Sequence, residues 1–190
     1  LLAPTPVVTY IDGSYRSQTS MNDMSDSPRR HVVEWSEPGK NAAEGLAMGG
    51  IAYLQAIADG KLPGPPIAYL MGFRIKRLEP GRAVFAVDPA EYHCNPLGAV
   101  HGGLAATLID SASGCAIHTL LEAGIGFTTI DLNVNYVRPM RPGMGEVECE
   151  GTVIHMGRSV ARADAKLTGP DGKLIAYGHS TCSILQPDKK

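Results

Sequence analysis

Residues 102–122, GGLAATLIDSASGCAIHTLLE, decide the fold. Leu104, Leu108, Ile109, Ala112, Ile117 and Leu121 belong to a segment that is apolar almost all round, which predicts a helix buried on most sides at the centre of a domain. The chain on either side reads as strands. Phe73–Leu78 and Arg82–Val87 flank a turn at Glu79-Pro80-Gly81 and predict a hairpin. Beyond the helix, four more strand signals cover Thr128–Val137, Gly145–His155, Ser159–Leu167 and Lys173–Leu185. Ile130, Leu132, Val134 and Tyr136 alternate with Thr129, Asp131, Asn133 and Asn135, as Val147 and Cys149 do with Glu146, Glu148 and Glu150. Their linkers, Arg141-Pro142-Gly143, Met156-Gly157-Arg158 and Gly169-Pro170-Asp171-Gly172, predict antiparallel neighbours. The expected class is α+β, an antiparallel sheet of about six strands meeting one long buried helix.

Further out, residues 1–40 carry scattered Pro and Gly with no sustained apolar period and read as an N-terminal arm. Residues 41–66 read as a helix from Asn41 to Asp59, ended by Gly60 and Pro63, followed by a turn-rich linker. The principal domain is then 67–186. The 190 residues are 44% hydrophobic and 19% charged, the composition of a globular protein with a real core. Seventeen basic against 19 acidic residues leave a net charge of −2, which gives no field for nucleic acid or an anionic membrane surface. No run reaches the roughly 18 consecutive apolar residues of a membrane span, and LLAPTPVV has neither the basic nor the long apolar region of a signal peptide. The expectation is a cytoplasmic protein, with Met21 a candidate natural start. Cys94, Cys115, Cys149 and Cys182 form no C-x-x-C pair and read as core thiols.

Two features could carry chemistry. Asp110 sits among Leu108, Ile109 and Ala112, where a bare buried carboxylate would cost several kcal/mol, so it is paired, exposed at an interface or kept for reaction. His101-Gly102-Gly103 opens the same helix, where unpaired backbone N–H groups and a partial positive charge can polarise a carbonyl, or where the glycines merely pack against a strand. Asp110 lies nine positions past His101, roughly 13 Å along the axis, so one chain cannot bring both to one carbonyl. A shared substrate requires a dimer with sites at the interface.

The run His93-x-Asn95-Pro96-Leu97-Gly98-x-Val100-His101-Gly102-Gly103, with Thr107-Leu108-Ile109-Asp110, Thr129-Ile130-Asp131 and Tyr136-Val137-Arg138-Pro139, resembles the hotdog-fold acyl-CoA thioesterases of the phenylacetate-degradation (PaaI-like) type over about residues 67–185. The resemblance implies a sheet wrapped around the helix, a dimer with a continuous sheet, usually paired into a tetramer, and hydrolysis of an acyl-CoA without metal or cofactor. It places the catalytic carboxylate at Asp110, the carbonyl-polarising N–H at Gly102, supporting side chains at Asn95 and His101, and a water-orienting hydroxyl at Thr129. It also implies CoA contacts at Arg138, Pro139, His155, Gly157, Arg158 and Ser159. The acyl group, the choice between general-base and nucleophilic roles for Asp110, and the role of residues 1–66 stay open at this level.

Other readings are weaker. Ser113 lies in no G-x-S-x-G elbow, and His93, Cys94 and His101 match no zinc spacing. There is no phosphate loop, and Gly124-x-Gly126 runs into a strand rather than out of one. An enoyl-CoA hydratase of the same fold would want Asp and His where His93 and Gly98 stand. A non-catalytic acyl-CoA-binding hotdog is the alternative from another class, and the presence of Asp110, Asn95 and Thr129 argues against it.

Overall fold

The computed structural model describes residues 28–39 and 42–186. The chain divides between His31 and Val32 into two compact units. Of the first, only residues 28–31 are described, as exposed irregular chain. The arm expected over residues 1–40 therefore lies largely outside the described residues; within 28–39 there is neither helix nor strand.

In the second unit, three short helices, α1 (Ala42–Ala47), α2 (Gly50–Ala58) and α3 (Pro66–Met71), precede β1 (Phe73–Glu79) and β2 (Arg82–Val87). A single 3-10 turn at Glu91–His93 leads to α4 (Gly102–His118), followed by β3 (Gly126–Tyr136), β4 (Val147–Met156), β5 (Val160–Thr168) and β6 (Leu174–Leu185). All six expected strands are present in one antiparallel sheet of order β1-β2-β4-β5-β6-β3. It packs against α4 as the hotdog reading requires.

The helix buries Leu108, Ile109, Ala112 and Ile117 completely. Each large aliphatic side chain so buried contributes about 2 kcal/mol. Close approach is secured at the middle of β4, where a Cβ on Gly151 would lie 2.2 Å from the Ala112 carbonyl oxygen, so no side chain fits between sheet and helix. On the outer face, Lys76 meets Glu146 and Glu148 at 2.6 Å each and Arg82 meets Glu150 at 2.7 Å, exposed pairs that keep this face solvated.

Four expectations need correction. The helix read from Asn41 to Asp59 is two helices, interrupted at Met48-Gly49, where the extended Gly49 starts α2 afresh. The stretch read as linker contains α3, with Pro66 at its first position and the left-handed Gly72 (φ 64°) ending it. The central helix stops at His118 rather than Glu122, with Thr119 as its C-cap and the Thr119 hydroxyl donating to the Ala116 carbonyl at 2.6 Å. Finally, β3 and β4 are not neighbours. The connection of residues 137–146 is no tight hairpin: the Val137 and Arg138 N–H groups both donate to Ile175 O, and Gly143 N–H donates to Pro89 O.

The alternation in β3 is also broken. Thr129 pairs with Cys182 and Asp131 with Thr181, so Ile130 is the extra residue of a β-bulge. Cys182, Ser180 and Ala176 are wholly buried, and their partners Thr129, Leu132 and Tyr136 share their face of the sheet. The bulge thus turns Thr129 to the helix side, where strict alternation would have set it with Asp131. Among the described residues β3 has a partner on one side only, and Ile130, Leu132, Tyr136 and Val137 are exposed along it.

Candidate active site

At the start of α4, His101 is the N-cap and its Nδ1 accepts from the Gly103 N–H at 2.9 Å, which puts the ring proton on Nε2. Leu104 N–H is taken by the His101 carbonyl. Among the described hydrogen bonds none is donated by the Gly102 N–H. Tyr136 donates its hydroxyl to the Gly102 carbonyl at 3.1 Å, and its ring lies 3.1–3.3 Å from where a Cβ on residue 102 would be, so glycine lets ring and backbone meet. Val100, Gly102, Ala105, Tyr136, Arg138 and Pro139 are among the residues lining a cavity of about 300 Å³ at this helix end.

Asn95 builds the loop that delivers the chain to this end. Its Oδ1 accepts from Leu97 N–H (2.9 Å) and Ala99 N–H (3.3 Å), and its own N–H donates to Ala99 O. Cys94 and Val100 then pair as a β-bridge. Asn95 therefore supports the helix start through backbone. His93 is a satisfied core histidine, with Nδ1 accepting from Ala90 N–H and Nε2 bonded to Met71 O.

Asp110 is half-buried on α4 rather than enclosed, because Ala106, Thr107, Asp110 and Ser111 form a flank of the helix that the sheet leaves open. The Thr129 hydroxyl donates to Asp110 Oδ1 at 2.9 Å. Burial and then the Asp110 charge push the nearby Cys115 thiol up to about 12, and Cys182, 3.9 Å from Thr129 Oγ1, is also raised, chiefly by burial. Cys149 and Cys182 are buried free thiols, whereas Cys94 and Cys115 are only partly covered.

The expected CoA contacts fall into two groups. Arg138 and Pro139 line the cavity at Gly102, and Arg138 donates to Leu174 O at 2.5 Å. His155, Gly157, Arg158 and Ser159 lie at the β4–β5 turn, where Gly157 N–H bonds Val160 O and Ser159 O accepts from Ile184 N–H. Ile175 and Ile184 mark the two ends of β6, nine residues or roughly 30 Å apart, so one chain does not bring the groups together. Sequence reasoning missed the Tyr136 hydroxyl at Gly102 as a site contact; a Tyr four residues before Met140 gave no sign of which backbone it would reach.

The antiparallel sheet wrapped on α4, with a Thr-bonded carboxylate on the helix and β3 paired on one side only among the described residues, is a hotdog architecture. A family model described as the thioesterase superfamily matches residues 97–176. Acyl-coenzyme A thioesterase 13 of Mus musculus is 36% identical over 103 residues, covering 54% of this chain and 72% of its own. Among solved structures, zebra fish thioesterase superfamily member 2 is 31% identical with a TM-score of 0.58, covering 70% of this chain and 94% of that one. A phenylacetic acid degradation-related protein from Ralstonia eutropha JMP134 is 26% identical with a TM-score of 0.63, covering 69% and 98%. The chain belongs to the thioesterase superfamily. Among the described residues no helix is long and apolar enough to cross a membrane.

Proposed function

We propose that the protein hydrolyses acyl-CoA at sites shared between two copies of the chain. The observation that carries this reading is the division of the machinery along α4. The Gly102 N–H and the Asp110–Thr129 pair are separated by eight residues, roughly 12 Å of helix, and β3 runs past both with its outer edge unpaired among the described residues. An exposed strand carrying Ile130 and Leu132 is an invitation to pair. Joining β3 to its antiparallel twin about a two-fold extends the sheet and brings the helix start of one subunit toward the carboxylate of the other. The same operation offers a way to unite Arg138 and Pro139 with the partner's β4–β5 turn on one CoA. Pairing of such dimers into a tetramer would follow the family's habit.

In this arrangement a water held between Thr129 and Asp110 attacks the thioester carbonyl carbon. Asp110 takes its proton through the carboxylate oxygen that Thr129 leaves open, acting as general base. The developing oxyanion meets the N–H of Gly102 of the partner subunit, reinforced by the helix dipole. Collapse breaks the C–S bond, the proton passes to the departing CoA sulfur, and free acid and thiol leave. His101 and Asn95 hold the donor in place. Asp110→Asn is expected to lower kcat by about 10²–10⁴-fold with KM and oligomer size nearly unchanged. Thiol release from acyl-CoA measures this, and full turnover in that variant would remove Asp110 from the mechanism.

A further inference from the structure

A second and larger cavity, about 580 Å³, lies beside α4. Ser111, Cys115 and Phe85 form its floor, and Tyr53 and Ile57 of α2 with Ile67 of α3 roof it. Ser111, which lines it, follows Asp110 on α4, so the cavity reaches the residue next to the carboxylate.

The roof is fixed to its own chain. Gly50 N–H donates to Leu121 O at 2.9 Å, holding α2 to the end of α4, and the Tyr69 hydroxyl accepts from Gly64 N–H at 2.9 Å, closing the α2–α3 connection. The interior named above is apolar or neutral. Among the described lining residues Arg74 is engaged by Glu146 and Asp88 and burial favours the neutral form of His118, so neither offers a free cation to a distal carboxylate. A cavity of about 150 Å³ suffices for benzene, so this one has room for an aryl group or a medium-length chain. The roof residues precede residues 97–176, the part matched by the family model.

We propose that this cavity receives the acyl group of the substrate and selects aromatic or medium-length apolar acyl groups over short and dicarboxylic ones, with Tyr53, Ile57 and Ile67 determining specificity. The assignment rests on the acyl-CoA reading, since it takes Asp110 to mark the scissile carbonyl. It gives the N-terminal helices a task in recognition and leaves the chemistry to α4 and β3.

Calorimetry with non-hydrolysable S-alkyl-CoA thioethers tests it without turnover. Octyl-CoA should bind at least ~100-fold more tightly than methyl-CoA, a fraction of what seven buried methylenes could supply. The thioether with a terminal carboxylate on the same chain should bind like methyl-CoA. Ile57→Trp should cancel most of the octyl advantage while leaving methyl-CoA within about two-fold, and Ile67→Trp, at a position 46% exposed and tolerant of bulk, gives a second filling of the cavity. Equal affinities for octyl- and methyl-CoA, or parallel weakening of both in the two variants, would overturn the assignment. An octyl preference lost on filling supports it even if octanoyl-CoA releases no thiol, the result that would sink the hydrolase reading alone. Brisk thiol release with no octyl preference removes the pocket and leaves the hydrolase.

Discussion

The two ends of α4 are finished in opposite ways. At its C-terminal end Thr119 Oγ1 donates to Ala116 O and accepts from Gly81 N–H, Gly50 N–H reaches Leu121 O, and His118 sits between the rings of Tyr53 and Phe127 at 5.7 and 5.3 Å. At its N-terminal end His101 caps Gly103, and Gly102 lines a cavity. A sealed helix end anchors neighbouring elements; an open one, with its partial positive charge, is a place for an anion or a polarised carbonyl. One helix thus ends in anchoring bonds at one terminus, and under the proposed function the other terminus serves the reaction.

Removing the open end's donor should have the larger effect. Proline suits the first helical position, and His101, at φ −63° and ψ 137°, already has the extended conformation that a following proline demands. Gly102→Pro in a Tyr136→Ala background, which clears the ring from its path, should therefore keep the helix and lower kcat by about 10²–10³-fold relative to Tyr136→Ala alone. A loss below about ten-fold would move the oxyanion contact elsewhere.

The sealed end should answer in stability. Burial lowers the His118 pKa from its ordinary 6.5. The unfolded chain then binds the proton more readily than the folded one, so stability holds above about pH 6.5 and falls as pH drops from there through the lower folded value. His118→Phe keeps a ring between Tyr53 and Phe127 and should flatten this slope in melts taken between about pH 7 and pH 5. A slope as steep as that of the unsubstituted protein would assign the effect to other groups.

Much of the core was legible because it follows simple signals: short strand runs bounded by turn residues, two of them clearly alternating, and one apolar helix. What escaped depends on exceptions. A single extra residue, Ile130, reverses the face of Thr129, and no composition signal marks a bulge. The β3–β4 connection resembles a turn in sequence yet is tied to Ile175 and Pro89, so the two strands part. The segment read as a turn-rich linker ends in Pro65 and Pro66, which in fact start α3. Asp110 and Gly102 were visible as residue types on one helix; the roof of Tyr53, Ile57 and Ile67 was not, since it depends on how the first helices dock.

The claim that active sites are divided between chains has a direct test in subunit mixing. Asp110→Asn and Gly102→Pro protomers, each in the Tyr136→Ala background, are unfolded and refolded together in equal amounts. A mixed dimer then holds one site with both wild-type groups, and random pairing should restore about one quarter of the activity of the Tyr136→Ala protein. Activity no greater than the average of the two variants assayed alone, with mixed dimers present, would contradict a shared site.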